Sequence, residues 1–205
     1  MTSSRHVKTK KHRTAKKIEN SHMCNKVSRG AHIHGAGRVE MRGKSIVRAG
    51  AVIRGDYGSP VRVGRYCVVG SNSILRPPPV PMPDGQTVEY TVPLVIGSHT
   101  SIGQNCVVES AYVGSYVTVG RNCVLGPRSV IKDCAVIRDG TVLGSDGVIP
   151  PFAIVGGRPG LIGGDTGESR GVEVEGNRVK GFARFVERRR KEEERTMAVE
   201  AKTAG

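Results

Sequence analysis

The sequence predicts an all-β chain, a left-handed parallel β-helix of hexapeptide repeats with a C-terminal α-helix. Three observations carry this. Eight branched aliphatic residues, Val113, Val119, Leu125, Ile131, Ile137, Leu143, Ile149 and Val155, fall on one six-residue grid. Glycine often comes next, as at Gly114, Gly120, Gly126, Gly144 and Gly156. Four residues after each aliphatic sits a small or slim side chain: Cys67, Ser73, Cys106, Val117, Cys123, Ser129, Ala135, Thr141 or Ala153. A period of six is neither the 3.6 of a helix nor the 2 of a half-buried strand. It belongs to coiled repeats in which each hexapeptide makes one short strand and one corner.

The grid starts upstream. Met41, Val47 and Ile53 open it, Val63, Val69 and Leu75 follow, and Ile96, Ile102 and Val108 lead into the long run. Three hexapeptides close one triangular coil, and coils stack at about 4.8 Å. Residues 41 to 156 therefore predict about six coils and a prism about 30 Å long. Corner positions held by Asn72, Asn105, Asn122, Gly140 and Asp146 suit a positive φ. The expected hand is left, an exception to the right-handed crossover preference. The grid breaks three times, at Ile53–Val63, Leu75–Ile96 and Val108–Val113. The longest break holds PPPVPMPDGQ, whose prolines cannot donate to a ladder, so it is expected to loop out from a corner.

Four segments follow: a disordered basic tail (1–24), the β-helix (25–160), a glycine-rich linker (161–180), and a charged C-terminal helix and tail (181–205). In the last, Phe182, Phe185 and Val186 form a short apolar edge that would dock on the prism flank. Glu187 with Lys191, Arg188 with Glu192, and Arg190 with Glu194 are spaced as i, i+4 ion pairs.

The net charge of +14 is uneven. Residues 1–30 hold nine Lys and Arg against Glu19 alone, whereas residues 161–205 hold ten against nine acids. Most of the basicity thus belongs to the tail. That tail is open to three readings: an electrostatic tether to an acidic surface, a nuclear address, or a solvated extension. No aromatics accompany its charge, which argues against a nucleic-acid module. No run of 18 apolar residues exists, so no membrane insertion is expected.

Five cysteines without a CxxC, three of them (Cys67, Cys106, Cys123) in the small corner slot, read as reduced and buried thiols. Only His99 of the six histidines lies within the regular repeats. A polar side chain at a corner explains it more simply than a general base beside an acyl-CoA cleft.

The segment Ile53-Arg54-Gly55-Asp56 resembles the Arg-Gly-Asp corner of gamma-class carbonic anhydrases. That resemblance implies a structural salt bridge between Arg54 and Asp56. It also places the family's three zinc histidines at Arg76, Gln104 and Glu109. All three are substituted, and an arginine repels zinc, so no metal and no other cofactor is expected.

Taken in order, NKVSR (25–29), Ile53–Asp56 followed by Val61–Val69, SILRPP with its insertion, VGSYVTVGRNCVLG (113–126), SVIKDC and VIPPFAIVGGRPG resemble the dynactin subunit 5 family over about residues 25 to 160. The resemblance implies a non-enzymatic β-helix in the pointed-end complex of dynactin, in the cytoplasm on the cytoskeleton. The implied partners are a related β-helix dynactin subunit, the pointed-end actin-related protein and other pointed-end subunits. No small-molecule substrate is implied. A gamma-carbonic-anhydrase-like enzyme and a hexapeptide acyltransferase remain the alternatives. Position makes Arg76, Pro77, Pro78, Tyr112 and Tyr116 the candidate partner contacts, with Tyr66 also near a corner.

Overall fold

Short parallel strands stack into three sheets that form the sides of a triangular prism. The computed structural model describes residues 24–82, 88–89, 92–167 and 170–203. The expected basic tail, apart from Cys24, lies outside the described residues. Six complete coils run from Lys26 to Ile149, each contributing one strand to the first, second and third faces in turn. The first coil (Lys26–Val27, His32–His34, Val39–Met41) begins ahead of the clean grid.

In-register stacking of the grid makes the core. On the third face Val113 pairs with Ile131, and Ile131 with Ile149. On the first, Ile102, Val119, Ile137 and Val155 follow one another. The eight grid residues from Val113 to Val155 are between 0% and 6% exposed. Each such burial contributes about 1.5–3 kcal/mol, so one continuous apolar column stabilises the whole prism.

Corners carry their own stacked columns. Between the first and second faces, Asn72, Asn105 and Asn122 all have φ near +56°. Between the third and first, Lys44, Tyr66, His99, Tyr116, Cys134 and Phe152 hold the same left-handed conformation, at φ from 54° to 64°. Under these corners the small slot is filled by hydroxyls and thiols that bond to the next coil. Ser73 Oγ donates to Gly103 O at 2.7 Å, Cys106 Sγ to Gly120 O at 3.0 Å, and Cys123 Sγ to Arg138 O at 3.1 Å. Cys67 Sγ donates to Gly97 O at 3.0 Å, and burial pushes its thiol up to about 11, which keeps it unreactive.

Two features differ from the linker expected at 161–180. Leu161–Asp165 is a strand that turns back antiparallel onto Ala153–Gly156 and covers the last edge of the first face. The helix starts at Arg170, not at 181, and runs to Thr203. Glycines at 163, 164, 171, 176 and 181 suggest a linker because each weakens a helix by about 1 kcal/mol. An open sheet edge and a prism flank reverse that preference locally: the edge supplies backbone partners, and a Cβ at Gly171 would lie only 3.7 Å from Cys134 Sγ.

The helix runs back along the corner between the third and first faces. Val174 is buried, Phe182 and Phe185 are half-buried, and the Phe182 ring meets Tyr66 edge-on at 6.2 Å. Beyond Val186 its described residues are exposed. Glu187–Lys191 (3.0 Å) and Arg190–Glu194 (3.4 Å) pair as spaced, while Glu192 lies 4.0 Å from Arg189 instead of pairing with Arg188.

Coil stacking predicts a sharp contrast between two glycines. A Cβ at Gly70 would sit 2.2 Å from the Gly103 carbonyl, whereas nothing lies within 4 Å of one at Gly163. Gly70→Ala should lose about 2 kcal/mol or more in urea unfolding, and Gly163→Ala should change stability little.

Candidate interaction surface

All three breaks in the grid fall at one corner, between the second and third faces, on consecutive coils. The other two corners repeat regularly from coil two upward. This irregular corner therefore concentrates what is individual to the chain.

Its lowest part is a Gly-rich crossing at 35–38 and the Arg54–Asp56 pair. Arg54 Nε and Nη2 each donate to the Asp56 carboxylate at 2.8 Å, and Arg54 lies 4.5 Å over the Tyr57 ring. The Arg54 guanidinium holds the Asp56 carboxyl below the usual carboxylate range. The carbonic-anhydrase-like Arg and Asp are thus joined within one coil.

One coil higher, Arg76 Nε donates to Glu109 Oε1 at 2.6 Å and Nη2 makes a second bond to the same oxygen. Glu109 is 8% exposed, so this carboxylate is neutralised by the guanidinium beside it. Two of the three positions that the zinc-site resemblance marks are therefore brought together as an ion pair. Gln104 is elsewhere, exposed at the corner between the first and second faces.

The proline-rich insertion leaves this corner and forms a short antiparallel hairpin, Val80–Pro81 against Val88–Glu89. Residues 83–87 lie outside the described residues. Arg128 anchors it, donating from Nη1 to the Pro79 carbonyl at 3.0 Å while Nε donates to Asp146 at 2.7 Å. Pro77 and Pro78 are consequently buried, and the exposed part of the insertion begins further out, at Pro81 and Met82. The reading of Pro77 and Pro78 as surface contacts is corrected: backbone capture by Arg128 folds the prolines onto the prism.

The tyrosines divide. Tyr112 is half-buried at the start of a third-face strand beside the irregular corner. Tyr116 and Tyr66 belong instead to the opposite column, where they sandwich His99 with ring centroids 5.1 and 5.0 Å away. The helix covers this column, so Tyr116 serves internal stacking. The sequence marks His99 as a corner residue but carries no signal of the ring stack, because bulky aromatics are uncommon at positive φ.

His99 is 8% exposed, and its Nδ1 is buried without a hydrogen-bond partner among the described residues. Burial lowers its pKa, with Glu175 opposing and Arg178 reinforcing that shift from the helix. A general base needs an approach for substrate, and here two rings and a helix close it off.

The family model for dynactin subunit 5 matches residues 10–182. The chain belongs to the dynactin subunit 5 family. Dynactin subunit 5 of Dictyostelium discoideum is 37% identical over 89 residues, which is 43% of this chain and 43% of that protein. The matched stretch thus spans less than half the length of that curated relative. Among solved structures, a hexapeptide transferase family protein from Anaplasma phagocytophilum superposes with a TM-score of 0.58 at 19% identity, covering 80% of this chain and 92% of that one. An N-acyltransferase from Bacillus cereus, AntD, gives 0.58 at 14% identity over 77% of this chain and 90% of its own. Such likeness establishes the fold, a left-handed hexapeptide-repeat β-helix, and carries no chemistry with it. Among the described residues no helix is long and apolar enough to cross a membrane, and no group of three or more His, Cys, Asp or Glu could hold a metal ion.

The buried imidazole predicts a pH dependence. An unfolded histidine protonates near 6.5, and the folded His99 only at lower pH. Below about 6.5 the unfolded state therefore binds more protons, and stability falls as pH drops towards the folded pKa. Thermal unfolding of the wild type should worsen between pH 7.5 and 5.5. His99→Asn, which keeps a residue suited to positive φ, should lessen that dependence.

Proposed function

We propose that this chain is a non-enzymatic scaffold subunit of the dynactin pointed-end complex, supporting dynein-driven microtubule transport and the attachment of cargo or adaptors. The observation that carries the reading is the dynactin subunit 5 family match over residues 10–182. The partners this reading calls for are a related β-helix dynactin subunit, the pointed-end actin-related protein and other pointed-end subunits. Its place would be the cytoplasm, on the cytoskeleton.

The site geometry supports a scaffold over an enzyme. Arg76 stands where a zinc ligand would be needed and is taken up by Glu109. His99, the remaining candidate base, is enclosed by Tyr66, Tyr116 and the helix. Small-molecule chemistry needs converging polar groups in a reachable cleft, and neither position provides one.

The irregular corner is the surface we assign to partners. Its hairpin, Tyr112 and the Arg54–Asp56 edge interrupt an otherwise repetitive wall, and insertions on repeat folds are placed where binding occurs.

Purification of the tagged chain from its own cells at moderate salt, followed by mass spectrometry, tests the function. Co-recovery of a second β-helix protein with actin-related proteins is the expected result. Recovery of the chain alone as a trimer, with one zinc per subunit or with coenzyme A binding, would overturn it in favour of a gamma-carbonic-anhydrase-like or hexapeptide acyltransferase activity.

A further inference from the structure

A groove of about 340 Å³ lies between the first face and the C-terminal helix, at the low-numbered end of the prism. The prism supplies Lys44, Arg48 and Tyr66 to it, and the helix supplies Arg178, Phe182, Arg184, Phe185 and Arg188. Among the described residues five cations line it and no carboxylate does.

Four prism arginines elsewhere meet acids on stacked coils: Arg62 with Glu40, Arg76 with Glu109, Arg121 with Asp139, Arg128 with Asp146. In the groove, Lys44, Arg48, Arg184 and Arg188 have no ion-pair partner among the described residues. Lys44 donates to the Tyr66 hydroxyl at 2.9 Å. The nearest carboxylate earlier on the helix, Glu175, acts on His99 and Tyr116 instead. Next along it, Glu187 is paired with Lys191.

We propose that this groove is a docking site for an acidic segment of a partner protein, an extended chain with several carboxylates and one apolar side chain. Charge complementarity argues for the sign of the occupant. Its shape follows from the spread of the cations: Arg178 to Arg188 covers about 15 Å of helix, too far for a single phosphate and suited to consecutive carboxylates. Phe182 and Phe185 on the helix, with Ile46 and Val68 on the opposite wall, provide the apolar floor. Nucleic acid fits less well. Tyr66 lies between Lys44 and His99, and Phe182 is set edge-on against it, so no stack of open ring faces awaits bases. This site lies across the prism from the irregular corner and does not depend on the larger assembly.

The test is fluorescence polarisation of the full purified chain with a labelled Glu- and Asp-rich decapeptide containing one Leu. A charge-matched peptide lacking Leu and a short single-stranded oligonucleotide serve as rival probes. Arg184 and Arg188 are exposed on the helix, so R184E/R188E should keep the fold, checked by circular dichroism and thermal unfolding. Binding of the Leu-containing peptide should weaken about tenfold in that variant, and Lys44→Glu on the opposite wall should weaken it too. Rising salt should lower affinity in the wild type. Equal affinity in wild type and variants would overturn the proposal, because the N-terminal basic segment alone would then explain binding. Tighter variant-sensitive binding of the oligonucleotide would overturn it as well. Loss of peptide binding leaves recovery of dynactin components a separate question, so the two readings fail separately.

Discussion

Everything in this molecule depends on coils stacking in register along one axis. Each inward aliphatic rests on the one seventeen or eighteen residues earlier in the regular part, as Val113 on Ile96 and Ile131 on Val113. A corner that moved would break ladders above and below it together. Regularity is therefore enforced at two corners, by positive-φ columns and by small side chains that bond to the next coil. Glycine at Gly70 and Gly103 lets adjacent coils approach to distances no Cβ would allow. Variation is confined to the third corner, where the break of ten, the hairpin and the break of five follow each other. Ion pairs between coils, such as Arg76 with Glu109 and Arg128 with Asp146, tie that freer corner together.

The six-residue period revealed the prism, the small slot and the asparagine corners, because each reports a local steric demand with a narrow set of acceptable residues. The first coil was less legible, since its His32–His34 and Val39–Met41 strands are short and half-exposed. Residues 161–165 and 170–180 misled for a physical reason. Their glycines disfavour regular structure locally, and the partners that reverse this, the last edge of the first face and the Cys134 corner, are distant in sequence. At the candidate surface, the substituted Arg76 and Glu109 could be named from resemblance, but their ion pair could not, because thirty-three residues separate them. The same holds for the burial of Pro77 and Pro78, which depends on Arg128, and for the Tyr66–His99–Tyr116 stack, which needs three coils at once.

A prism of this kind has a filled interior, so its uses lie on its outside. The aliphatic column fills the interior, the thiols of Cys67, Cys106 and Cys123 are bonded into corner slots, and His99 is sealed beneath the helix. What remains distinctive is external: an irregular corner with a hairpin, an end capped on one face by a returning strand, and a helix whose charged second half extends past its docked turns. These suit a subunit that holds other proteins in place. The family match supplies the coarser statement, that the chain is of the dynactin subunit 5 family.

We propose that the irregular corner carries the assembly function while the stacked grid carries the fold. Excising residues 77–91 restores a six-residue step between Leu75 and Ile96 and tests it directly. The account predicts that the shortened chain keeps its β-helix, by circular dichroism and cooperative unfolding, yet elutes from a cell lysate as a small species while the intact chain elutes in a much larger assembly. Co-elution of the folded, shortened chain with the same large assembly would contradict it.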